Sequence, residues 1–175
     1  NNSFKNLPSR FLIINTHTTI YDFCIGMFIY YGYLHKDYDN YILMKKKYEN
    51  ITSPFIGILD NKLKLIEVKE GKNGLTKQVI EEIQYKDNYM IYLSPEGTRT
   101  YTEDLKSGYW VIAKELNLDV CYLGIDYYKK TIKFEKARKV EEYWDDEKDK
   151  FKESALLYQP LFPENCHFYK KEKIE

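Results

Sequence analysis

His17 and Asp22 lie in the run His17-Thr18-Thr19-Ile20-Tyr21-Asp22, with four residues between them. A histidine beside an oriented carboxylate is a general-base arrangement. The carboxylate fixes the imidazole tautomer and stabilises the imidazolium, while the free ring nitrogen takes a proton. This spacing does not align two side chains on one helix face, so the pair requires a strand-to-helix turn that folds the histidine back. The competing reading is a surface histidine at a strand end.

A second group is Ser94-Pro95-Glu96-Gly97-Thr98-Arg99. Arginine offers a planar fork for phosphate or carboxylate, glycine lets the backbone approach a ligand, and threonine adds a hydroxyl. Arginine is scarce here: Arg10, Arg99 and Arg138 stand among 27 basic residues. The competing reading is an ordinary turn closed by a Glu–Arg ion pair. His35 and His167 have no partner at a useful spacing, and the sequence gives them no role.

These residues need elements to hold them. The apolar run in 10–15 predicts a buried strand ending just before His17. The stretch 21–34 is apolar nearly all round and too long for a strand, which predicts a buried helix. Lining an acyl-chain groove or pressing on a bilayer is the other reading of that helix. Strands are expected at 41–44, 61–69 and 89–93, and helices at 75–85 and 108–117. Segments 119–127 and 131–135 read as paired strands, 144–157 as a charged helix, and 159–175 as a tail. The alternation predicts an α/β fold: a single domain with a mixed sheet flanked by helices. The Glu96 loop then sits at a strand's carboxyl end, where such sheets build their sites.

Composition supports one folded domain. The chain has 175 residues, 43% of them hydrophobic and 31% charged, which argues against disorder. With 27 basic and 27 acidic residues it has no net charge, so a role in coating nucleic acid is not expected. Cys24, Cys121 and Cys166 are widely spaced without a CxxC pair, which disfavours a disulfide framework or a metal site. The longest apolar run falls well short of the roughly 20 residues of a membrane-spanning helix. The chain opens at Asn1 without Met, and a membrane-associating segment is expected ahead of it.

The His-x-x-x-x-Asp block followed by Pro95-Glu96-Gly97-Thr98-Arg99 resembles the glycerolipid acyltransferase family, which includes the 1-acylglycerol-3-phosphate acyltransferases. Residues 46–57 resemble its basic stretch leading to a Pro-Phe-x-Gly turn, and Lys106-Ser107-Gly108 its Lys-x-Gly. The similarity covers about residues 10 to 128. Two places depart from the pattern. Where an acidic residue and an arginine usually close the second motif, Glu67 is followed by Val68, with Lys69 or Lys72 as substitutes. Tyr122 stands near the usual proline of the fourth motif.

The resemblance implies acyl transfer from acyl-CoA to a lysophospholipid hydroxyl, most simply lysophosphatidic acid to phosphatidic acid. His17 would be the general base and Asp22 its orienter. Glu96, Gly97, Thr98 and Arg99, with Lys69 and Lys72, would form the substrate-binding set. No cofactor beyond acyl-CoA as co-substrate, no metal and no nucleic acid is implied. The domain would occupy 1–158, at a membrane surface facing the cytoplasm. An inactive lipid- or acyl-CoA-binding module and a CoA-independent transacylase are the alternatives.

Overall fold

The computed structural model of the chain describes residues 7–45, 63–68 and 74–168. Its six strands are β1 (Arg10–Ile14), β2 (Asp39–Lys45), β3 (Leu63–Val68), β4 (Tyr89–Leu93), β5 (Asp119–Asp126) and β6 (Thr131–Phe134). They form one sheet in the order β3-β2-β4-β1-β5-β6. The first five are parallel, and β6 runs antiparallel to β5. Helices α1 (Ile20–Ile29), α2 (Gly74–Ile83), α3 (Gly108–Glu115) and α4 (Trp144–Leu156) flank the sheet. This is the mixed α/β domain expected from the alternation of apolar runs.

The strand pleat divides the core between two faces. Leu12 and Ile14 of β1 join Ile91 and Val120 on one face, where α2, α3 and α4 contribute Val79, Ile83, Ile112 and Phe151. Phe11 and Ile13 join Met90 and Cys121 on the other. That second face is covered by α1 and the π-helical turn Tyr30–Leu34 that continues it, through Ile29, Tyr30 and Leu34.

This asymmetry corrects the expectation of one buried helix over 21–34. Only Asp22 and Ile29 of α1 are buried, and Phe28 is 72% exposed. A helix packed on one sheet face presents one stripe to it. Phe23, Ile25 and Met27 pack partly buried against that face, while Ile20, Tyr21 and Phe28 are exposed.

Within the stretch read as a tail, residues 159–168 carry packed side chains. After α4, Pro160 and Cys166 are buried, and Phe168 packs edge-on against Phe151 at 5.4 Å. The Tyr158 ring lies on Gly124 of β5, where a Cβ would stand 2.2 Å from it. Any larger residue at 124 would have to displace the Tyr158 ring.

Candidate active site

β1 and β4 are adjacent parallel strands with Ile14 opposite Leu93. Their chains leave in opposite directions, β1 into α1 on one face and β4 toward α3 on the other. Neighbouring strands whose connections diverge in this way open a crevice at their carboxyl ends. His17 and Glu96 each follow three residues after that last rung, so the register places the two motifs side by side.

The turn from β1 into α1 folds the histidine back. Thr19 caps α1 in extended backbone, and the Asp22 carboxylate returns to the cap in a reciprocal box. Asp22 Oδ2 accepts the backbone N–H of Thr18 at 2.8 Å and of Thr19 at 2.9 Å. His17 Nδ1 lies 3.6 Å from that same oxygen, with the imidazole side chain 23% exposed and Asp22 only 3%. The residue that ends the strand-to-helix turn is therefore the one that faces the histidine.

Glu96 was placed in the substrate-binding set as a residue that shapes the loop, and its carboxylate accepts hydrogen bonds from the backbone around it. It is 2% exposed. Oε2 accepts the His17 N–H at 2.6 Å and is 3.4 Å from Ser94 Oγ, while Oε1 accepts the His167 N–H at 3.1 Å. Burial pushes its carboxyl above the usual range, and the His17 and His167 amides offset part of that rise. Glu96 is thus a latch that joins the β1 loop, the β4 loop and the closing segment.

Gly97 ends the turn that begins at Ser94, through a Gly97 N–H to Ser94 O bond of 3.1 Å, and takes φ +64. That left-handed conformation favours glycine. Thr98 and Arg99 follow in the same half-exposed loop, where the Thr98 hydroxyl meets that of Thr100 at 2.9 Å. Lys69, Lys72 and the stretch 46–57 lie outside the described residues. Tyr122 is buried beside β1, with its hydroxyl 3.5 Å from Thr16 Oγ1 and its ring stacked on Tyr158.

Two residues that the sequence left without a role belong to this assembly. Tyr127, just after β5, donates its hydroxyl to Asp22 Oδ1 at 2.6 Å. His167 reaches Glu96 through its backbone, and its ring Nδ1 lies 2.5 Å from the Thr102 carbonyl. Neither carries a local signal, because each partner is more than 65 residues away in the chain. Among the described residues no group of three or more His, Cys, Asp or Glu is gathered as a metal site. No helix among them is long and apolar enough to cross a membrane.

At the switch point between β1 and β4 a partly exposed imidazole faces a buried carboxylate. The model of the Acyltransferase family matches residues 3–125, and the chain belongs to this family, the glycerolipid acyltransferases. Comparison with curated proteins and with solved structures returns no match.

Proposed function

We propose that the chain moves a fatty acyl group from acyl-CoA to the free hydroxyl of a lysophospholipid, lysophosphatidic acid being the simplest acceptor. The observation that supports this most is the His17 imidazole at the crevice, with Nδ1 facing a carboxylate already held by two backbone amides. His17 Nε2 takes the acceptor's hydroxyl proton as the oxygen attacks the thioester carbonyl. Collapse of the tetrahedral adduct breaks the C–S bond. The imidazolium returns the proton to the leaving thiolate, so CoA departs as the thiol. Asp22 stabilises the imidazolium between the two steps.

Arg99 and Thr98 hold the acceptor's phosphate, with Lys69 and Lys72 as further cations. The exposed apolar residues of α1, among them Ile20, Tyr21 and Phe28, support work at a membrane surface. Acyl-CoA is a co-substrate in this reading and no other cofactor takes part.

The test is a panel of acyl donors and lysolipid acceptors read by mass spectrometry. Transfer to lysophosphatidate is expected to fall at least 10²–10⁴-fold in His17→Ala. Arg99→Ala is expected mainly to raise KM for the acceptor. Undiminished transfer in His17→Ala removes the base assignment, and turnover only with a diacyl phospholipid donor replaces acyl-CoA.

A further inference from the structure

Asp22 is 2% exposed, and its two oxygens are held from different directions. Oδ2 accepts the Thr18 and Thr19 amides, and Oδ1 accepts the Tyr127 hydroxyl. The terminal torsion of an aspartate is broad, so donors on one oxygen alone leave the carboxylate plane free to swing. A donor on the other oxygen sets that plane, and with it the direction in which Oδ2 faces His17.

Tyr127 is built to do this. Its backbone N–H donates to the Gln159 carbonyl at 2.9 Å, so the residue is held at both its main chain and its hydroxyl. Burial, and then the hydrogen bond to Asp22, hold the phenol above its ordinary range, so the O–H stays a donor. It also lies beyond residues 3–125, the part matched to the family.

We propose that Tyr127 is a positioning residue for the acyl transfer: its hydroxyl fixes the Asp22 carboxylate so that Oδ2 stays aimed at His17. The inference rests on the general-base reading of His17. Removing the hydroxyl leaves Oδ1 a buried acceptor without its donor and lets the carboxylate turn away from the imidazole. The loss appears in the chemical step, because the Tyr127 hydroxyl acts through Asp22 on His17.

The experiment is a double-mutant cycle in the full chain with oleoyl-CoA and lysophosphatidate, comparing Tyr127→Phe, Asp22→Asn and the double variant. Tyr127→Phe is expected to lower kcat about tenfold, as loss of a hydrogen bond to a charged group does. Both KM values are expected to stay close to those of the parent, while the Tm falls by a few degrees because Oδ1 is left without its donor. In the Asp22→Asn background the same change is expected to cost nothing further. Replacing Tyr127 by 3-fluorotyrosine, which keeps the ring and the hydroxyl, restores kcat. Full kcat in Tyr127→Phe, or losses that multiply in the double variant, overturns the positioning role while His17→Ala remains inactive. Undiminished turnover in His17→Ala overturns the base reading and this inference with it. If Tyr127→Phe melts early, the fluorotyrosine protein decides: a kcat that stays low beside a parental Tm overturns the role, and full recovery supports it.

Discussion

Glu96 and Glu147 are both buried, at 2% and 0% exposure, and the molecule treats them differently. Glu147, in the first turn of α4, receives a two-pronged guanidinium: Arg138 Nη1 reaches Oε2 at 2.9 Å and Nη2 reaches Oε1 at 3.0 Å. The Tyr109 hydroxyl and the Glu141 amide complete its shell. Glu96 is held by the amides of His17 and His167 and the Ser94 hydroxyl. One carboxylate is closed inside the packing of α3 and α4 by an opposite charge. The other ties together loops around a crevice, where burial raises its carboxyl. The first serves the fold, and the second keeps the backbone around His17 in place.

Breaking the charged pair should have the largest effect. Glu147→Ala leaves the Tyr109 hydroxyl a buried donor without its acceptor and takes the carboxylate from the one-third-exposed Arg138, at a cost of about 1–3 kcal/mol. Urea unfolding should show this loss, while the remaining folded fraction keeps its turnover. A milder result would mean that water enters the α4 side and that the two environments are less distinct than their geometry indicates.

At Glu96 the comparison is sharpened by pH. The folded state holds the Glu96 proton more tightly than the unfolded chain does. Its contribution to stability is therefore full below the ordinary glutamate range and is lost as pH rises through the raised folded value. Glu96→Gln removes that titration. Parent minus variant stability, from urea midpoints across the acid range, should decline as pH increases, and a flat difference would count against the burial of this charge.

The smallest expected effect lies beside it. Gly97→Ala places a Cβ at φ +64, where the nearest atom, Lys106 Cγ, is 3.8 Å away, so backbone strain and not collision sets the cost. Strain of this kind costs about 1–2 kcal/mol. A melting curve measures it, and a neutral result would show that the latch loop relaxes freely.

Much of the scaffold was legible because apolar periodicity is local. The strand signals at 10–15 and 89–93 correspond to β1 and β4, and the helix expected at 108–117 is α3. Both site motifs could be read for the same reason, each being a short block after a strand. The neighbouring of β1 and β4 could not, since Arg10 meets its partner Tyr89 more than 70 residues along the chain. The exposure of α1 escaped because an all-round apolar sequence does not say how many layers will cover it. Tyr127 and His167 were invisible for want of any spacing rule linking them to Asp22 and Glu96.

The closing segment sets an order on biosynthesis. A growing chain that has emerged only through β5 already carries His17, Asp22 and Glu96, with every strand of the parallel sheet. At that moment Glu96 still lacks the N–H of His167, and Tyr127 lacks the carbonyl of Gln159. The crevice is therefore shaped early and tightened later: translation must pass His167 before the histidine loop acquires this tether.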